Sequence, residues 1–310
     1  MSTTTDYNAL LAKAIANGPP YPPRYAAFGG SPHGSVDIGV SALFIGLFAV
    51  LGIFHMRLFK SNRAKGHMFV FSAVIFGFCM SRVTTYAMRI STIKNPTSIG
   101  LAIAANVLLS AGVILLFITN LNFAQRILRG YHPNFGRSIP IKYAFLAYYI
   151  SIVLVLIMVI VATVMSFNTL DANKLNTYRD IQHVGVIYFT IFSFLPIPIV
   201  LLARFIPGNN KTRFGTLGTM THKVIIVVVA AGLLTLENSF RAATTFLPLR
   251  PLTDPAWYDK RAAFYVFSPT LEVLVVFLYA VTRVDQRLHE EAVNLEHAES
   301  KEDGIEMGSA

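Results

Sequence analysis

Four charged side chains stand well away from the ends of long apolar runs of this chain: Arg82, Glu237, Arg241 and Glu272. An ion at mid-bilayer costs roughly 2.5 to 3.5 kcal/mol on insertion scales, so each must find a partner or a water-lined site. Their spacing is ordered. Glu237 and Arg241 are i, i+4 neighbours, Arg82 and Arg89 are i, i+7 on one stripe with Thr85 between them, and Asn106 and Ser110 are one helical turn apart. Two chemistries fit. Arg82 pairs with Glu237 or Glu272 and Arg241 with the other carboxylate, which fixes helix register and nothing more. Alternatively the same groups line a pocket whose arginines hold an anionic or zwitterionic headgroup while its tail lies between helices. On the second reading the ligand-binding residues are Arg82, Thr85, Asn106, Glu237, Arg241 and Glu272.

Catalysis has little to work with. The single cysteine, Cys79, allows no intrachain disulfide and no cysteine-rich metal site, and neither it nor any internal serine has a nearby base. Of the eight histidines only His55 lies well inside an apolar run, so paired axial haem ligands are missing. Intramembrane zinc chemistry needs about three converging ligands. His183 with Asp180 supplies at most two and reads better as a helix cap. The last apolar run lacks the lysine a retinal protein needs, and no phosphate-binding Gly-rich Lys-Ser/Thr loop is present. We expect no enzyme activity, no cofactor and no metal.

The elements that position these groups follow from composition. Hydrophobic residues make up 54% of 310, charged ones only 14%, and mean hydropathy is +0.55, which is too apolar for a soluble protein of this length. Seven runs of about 20 apolar residues cover 36–58, 67–90, 98–123, 141–167, 181–205, 222–246 and 262–284. The expected fold is an all-α seven-transmembrane-helix bundle over 36–284, with a Pro/Gly-rich arm at 1–35 and an acidic tail at 285–310. The first 35 residues lack an apolar core, so the first span is expected to act as signal anchor. Residues 17–34 combine prolines with aromatics and favour an extended arm; it is read as a disordered leader, with a lid over the outer face as the other reading. Pro196, Pro198 and Pro269 should kink the fifth and seventh spans.

Orientation follows from loop charge. Linkers after spans one, three and five carry Lys60, Arg63 and Lys65; Arg126, Arg129 and Arg137; and Lys211 and Arg213, with no acid among them. The opposite linkers mix signs, with Asp171 and Asp180 in one and Asp254 and Asp259 in another. The N-terminus is therefore expected outside or lumenal and the C-terminus cytosolic, in the plasma membrane or an endomembrane. The sequon at Asn210 would then face the cytosol and stay unmodified. Arg82 and Glu237 each lie fifteen residues from a cytosolic span edge, about 22 Å along the helix, so the charges converge on the outer half of the bundle. The matched depth favours Arg82 with Glu237 as the buried pair, Glu272 competing for the same arginine. Residues 1–282 hold 23 basic and 8 acidic residues, a net +15, whereas eight acids cluster between Asp285 and Glu306. Short basic clusters between apolar runs point to anionic lipid as partner, not to nucleic acid. The acidic tail is a solvated extension or a docking site for a cytosolic protein.

Several stretches carry a family likeness: Gly29-Gly30-Ser31-Pro32-His33-Gly34 with Val36-Asp37-Ile38, Phe76-Gly77-Phe78-Cys79-Met80-Ser81-Arg82, Arg213-Phe214-Gly215, Glu237-Asn238-Ser239-Phe240-Arg241-Ala242 and Phe264-Tyr265-Val266-Phe267. From about Gly29 to Leu288 the chain resembles an uncharacterised family of fungal seven-helix membrane proteins. It is more distantly similar to the fungal lipid-translocating exporters, which carry an Arg/Glu motif in the sixth span and an aromatic opening to the seventh. Here Glu237 precedes Arg241, where the exporters have arginine first, and Ser268 stands where they have an acid. The resemblance implies binding and movement of a lipid or amphiphile; a receptor-like sensor signalling through cytosolic loops and tail is the alternative. The end of span three, Asn120 to Arg126, lacks the acidic-Arg-aromatic signature of receptors coupled to G proteins.

The loop charges generate a topology prediction. In a Cys79-free background, single cysteines at Asn17 and Thr253 should react with an impermeant maleimide from outside, and those at Ser61 and Asn210 should not. Labelling at Asn210 in intact cells would reverse the orientation.

Overall fold

A computed structural model of the chain describes residues 12, 15–23, 25, 26, 28–30, 32, 34–207 and 214–289. Asn210 and the acids beyond His289 lie outside the described residues. Seven helices are long and apolar enough to cross a membrane: α1 Gly34–Ala64, α2 Val70–Lys94, α3 Ile99–Tyr131, α4 Ile139–Ser166, α5 Ala172–Phe205, α6 Met220–Thr245 and α7 Arg261–Val281. No strand accompanies them among the described residues; the extended backbone forms one isolated bridge, Tyr25 to Pro251. The protein is an all-α, multi-pass membrane bundle.

The helices run past the apolar stretches because their ends are capped outside them. Asp171 accepts a hydrogen bond from the Asn173 N–H at 2.9 Å, so α5 begins nine residues before Ile181. Thr219 does the same for His222 ahead of α6. Apolar counting registers the hydrocarbon layer, whereas capped ends continue into the headgroup region. Three helices are interrupted. α3 breaks at Val113. α5 breaks at Leu195, because Pro196 has no N–H to give. α7 widens into a π turn over Val266–Thr270 around Pro269, and the Thr270 hydroxyl donates to the Tyr265 carbonyl at 2.7 Å, covering an acceptor there.

Packing follows a ring in which α1 lies on α2, α2 on α3, α3 on α5 and α6, and α6 on α7, with α7 returning to α1. α4 stands outermost against α5. Its Ile150, Leu154, Ile157 and Val161, spaced at three or four residues, are all exposed and face the hydrocarbon. α6 and α7 are the most enclosed spans, and they hold both intramembrane carboxylates.

Described segments that precede α1 and follow α7 dock on the bundle. At the N-terminal face, where α1 begins, the Tyr21 N–H donates to the Phe167 carbonyl at 2.7 Å and the Ala26 N–H to the Arg250 carbonyl at 2.9 Å. Phe28 sits edge-on to Phe264 and beside Phe240. The reading of a disordered leader is thereby corrected for Tyr21, Ala26, Phe28 and Gly29. Prolines keep this stretch out of helix, and loop carbonyls accept the Tyr21 and Ala26 N–H groups. Gly29, at φ +89°, could carry no side chain, since a Cβ would lie 2.9 Å from the Phe264 ring.

At the opposite face the chain turns through Arg283, a non-glycine residue at φ 51°, into a short helix Val284–Arg287. Asp285 accepts from Asn62 Nδ2 at 2.9 Å and from two Arg283 nitrogens at 3.1 Å. Burial pushes its carboxyl up, but the bonds from Arg283 and Asn62 outweigh that and hold it below the ordinary carboxylate value. Val284 and Leu288 are fully buried. The boundary placed at Asp285 is therefore corrected: the bundle continues to Leu288, because the first residues of the tail are apolar at helical spacing and its first acid is paired.

This docking predicts that truncation after Leu288 leaves the folded bundle intact, while truncation after Val281 lowers the thermal midpoint. Leu288→Ala should destabilise by about 2–5 kcal/mol. A carboxyl held low stabilises above its unfolded value and loses that contribution as pH falls through its folded value. Acidification below pH 4 should therefore weaken wild type and leave Asp285→Asn unchanged by this route.

Candidate functional site

The site begins with a buried ion pair. Arg82 on α2 and Glu272 on α7 are both 0% exposed, and the guanidinium meets the carboxylate through two nitrogens, Nε at 2.7 Å from Oε2 and Nη2 on Oε1. A bidentate pair is the strongest form of this contact. Arg82 Nη1 turns the other way and donates to the Leu109 carbonyl at 2.9 Å and the Leu108 carbonyl at 3.3 Å. These carbonyls belong to the last turn of α3 before its break at Val113, where backbone acceptors are left over. Gly112 makes this approach possible, because a Cβ there would lie 2.6 Å from Ser81 Oγ and 3.0 Å from Arg82 Nη1. Phe78 closes one side, with the guanidinium carbon 5.0 Å from its ring centre.

Glu237 on α6 is also buried. Its Oε1 accepts from Ser268 Oγ at 3.0 Å, in the π turn of α7. Its Oε2 is buried with no hydrogen-bond partner among the described residues, and so is the Tyr86 hydroxyl one turn along α2 from Arg82. Arg241, one turn beyond Glu237, is half-buried and donates to Ser110 at 3.4 Å. Arg82, Glu237, Arg241 and Glu272 stand within electrostatic reach of one another. Two arginines thus meet two carboxylates, but unequally: Arg82 and Glu272 satisfy each other, and Glu237 keeps a spare oxygen.

The Arg82–Glu237 pair expected from matched depth is corrected: Arg82 takes the competing Glu272, Glu237 takes the Ser268 hydroxyl in the π turn, and Arg241 takes the Ser110 hydroxyl. Thr85 is buried, but its hydroxyl donates to the Ser81 carbonyl at 2.8 Å within its own helix. Asn106 is exposed on α3 and does not join the cluster. Its turn-mate Ser110 does.

Above the quartet, at the N-terminal face, lies a cavity of about 450 Å³ roofed by arm residues including Tyr21, Tyr25 and Phe28. Thr244 and Thr245 line it, and both of their hydroxyls donate to the Arg241 carbonyl, at 3.0 and 2.7 Å. Arg179 and Gln182 of α5 and Arg250 and Asp259 of the loop before α7 add polar wall. Burial holds Asp259 above the ordinary carboxylate range, against the backbone N–H of Ala256 and the charge of Arg250. His183 accepts no metal-like set: its ring bonds the Thr245 carbonyl at 3.2 Å and stacks on Phe246 at 4.5 Å. Among the described residues no three His, Cys, Asp or Glu side chains come close enough to hold a metal ion.

Sequence reading quoted Asp37 for its family likeness alone and gave it no place in the site. It is buried in the first turn of α1, where it accepts from the Tyr265 hydroxyl at 2.8 Å and pairs with Arg261 at 3.3 Å and Arg89 at 3.9 Å. Arg89 also donates to the Gly29 carbonyl at 2.7 Å and lies over the Phe264 ring. Asp37 therefore latches the arm to α1, α2 and α7. The signal was present: an acid one residue inside an apolar run.

Comparison with known families places these groups in two matched segments. The family model described as Domain of unknown function (DUF7702) matches residues 62–236, more than half of the chain, and includes Arg82. One described as Protein of unknown function (DUF3112) matches residues 215–289, which include Glu237, Arg241, Glu272 and Asp285. No curated protein and no solved structure matches the chain.

The ion pair yields a double-mutant prediction. Arg82→Met and Glu272→Met should each destabilise the detergent-solubilised protein by about 3–5 kcal/mol, because each strands a buried charge. The double variant should lose clearly less than the sum. Thermal shifts that add strictly would refute the contact.

Proposed function

The chain belongs to the DUF7702 family, whose description carries no activity, and from the site itself we propose that this membrane protein binds an amphiphile or lipid beneath its N-terminal arm and moves it. The observation that carries the reading is the buried Glu237 Oε2, without a hydrogen-bond partner among the described residues and one turn from Arg241, whose carbonyl is held by Thr244 and Thr245 in the wall of the arm-roofed cavity. Buried polar groups are normally satisfied, and the exceptions in a membrane interior mark functional sites. In this reading Arg241, half-buried and weakly bonded, meets the anionic or zwitterionic part of the ligand. The cavity's Phe28, Phe167 and Leu175 take part of its apolar portion. Arg82 and Glu272 are positioning residues that hold α2, α3 and α7 around the site. The likeness to lipid-translocating exporters supports the same ligand class. The arm would face outside or the lumen, with Val284 to Leu288 on the cytosolic side, and no covalent chemistry is assigned to the site.

A sensor that signals through its cytosolic face is the second reading. What favours it is the continuity of α7, which carries Ser268 and Glu272 at the site and leads directly into the docked segment at Asp285.

Reconstitution of the full chain into liposomes holding a fluorescent nitrobenzoxadiazole-labelled phospholipid or long-chain base separates these readings. Movement predicts protein-dependent loss of protection from dithionite, reduced at least about tenfold, or 1.4 kcal/mol, by Arg241→Gln or Glu237→Gln at unchanged melting temperature. Saturable binding without movement would select the sensor. Neither binding nor movement of either probe would overturn the proposal.

A further inference from the structure

A second cavity lies far from the quartet, on the lipid-facing side of the opposite face. It measures about 530 Å³ and sits between the end of α3, the short helix Pro133–Gly136, α4, and α5 beyond its break at Leu195. Its walls are almost wholly apolar, with Leu128, Phe145, Tyr148, Ile199, Leu202 and Ile206 among them. His132, also in the wall, has its Nε2 taken by the Ala203 carbonyl at 3.1 Å. Leu202 and Ile206 are more than half exposed, so the groove is open to the bilayer.

The rim has a different chemistry. Arg204 lies between the lining residues Ala203 and Ile206, Lys142 follows Ile141, and Arg137 follows Phe135 by two; all three are exposed. Arg204 is steered by a 3.3 Å bond from its Nη1 to the Tyr131 hydroxyl. No acid occurs anywhere in 38–170 or 181–236, the segments that build both walls. Apolar walls that lead to a basic, acid-free rim at the helix ends match one occupant: a phospholipid of that leaflet, with an acyl chain in the groove and its phosphate on the cations. We infer that this groove is a specific site for an anionic phospholipid. It is separate from the arm-covered cavity and does not depend on the function proposed there.

The test is native mass spectrometry of the full-length protein with dioleoyl phosphatidylglycerol or dioleoyl phosphatidylcholine in mixed micelles. Phosphatidylglycerol should be retained preferentially, by about fivefold for each basic side chain engaged, and salt should reduce the preference. Lys142→Gln with Arg204→Gln should bring the two lipids within about twofold while phosphatidylcholine retention stays as it was. Ala144→Phe, at an exposed wall position, should displace both lipids without lowering the melting temperature. A diazirine-bearing acyl chain should cross-link to wall residues such as Ile199 or Phe145. Equal retention of both lipids by the unmodified chain, or a preference untouched by the double charge variant, would overturn the inference. So would cysteine cross-linking at Leu202 that traps a second copy of the chain in the groove.

Discussion

Removing two opposite charges from water is repaid only when geometry is close to ideal and every remaining donor is used, and the Arg82–Glu272 contact meets that condition through α3. Its two nitrogens on the carboxylate leave Nη1 free, and the break at Val113 leaves carbonyls in need of a donor. The broken helix and the buried arginine thus satisfy each other. Neither would be stable alone, and together they fix how deeply α2, α3 and α7 sit against one another. In lipid no hydrophobic difference exists to set helix register, so such polar contacts decide it.

α7 extends this logic along its length. Arg261 and Tyr265 contact Asp37, Ser268 contacts Glu237, Glu272 contacts Arg82, the Val276 carbonyl contacts His55 and Tyr279 contacts Asn120. The spacings of four, three, four, four and three place all six on one stripe of a helix, and Asp285 with Asn62 continues it beyond the bilayer. The π turn at Pro269 lies within this stripe, where Ser268 meets Glu237 of α6 while Glu272 reaches Arg82 of α2.

The seven spans and the convergence of Arg82, Glu237, Arg241 and Glu272 were legible in the sequence because the bilayer makes both statistically loud: apolar runs must be long, and ions within them rare. Which carboxylate Arg82 takes was misread: depth pointed to Glu237, whereas Arg82 takes Glu272 and Ser268, in a π turn that apolar periodicity does not register, takes Glu237. Asn106 was misplaced because one turn of spacing from Ser110 fixes a shared stripe but not which way that stripe faces. Docking of the arm depends on carbonyls of Phe167 and Arg250, supplied by loops distant in sequence, so no local pattern announced it. At the other end, Val284 and Leu288 did show helical spacing, yet their burial rests on Asn62 capturing Asp285 from more than two hundred residues away.

Polar groups that set register and polar groups that meet a ligand differ in how completely they are used. Glu272, Arg82 and Asp285 have their hydrogen bonds filled by protein, and a bound molecule would have to break a contact to reach them. Glu237 Oε2 and the Tyr86 hydroxyl have nothing to lose. Both flank the ion pair, and Glu237 stands one turn below Arg241, itself directly under the threonines of the arm-covered cavity. A bundle built for stability alone would place an amide or an apolar side chain at 237, since a carboxylate with one oxygen unmatched is worse than none. That surplus, in a chain that otherwise pairs its intramembrane charge along α7, is the strongest physical reason to assign the site a task beyond holding the helices together.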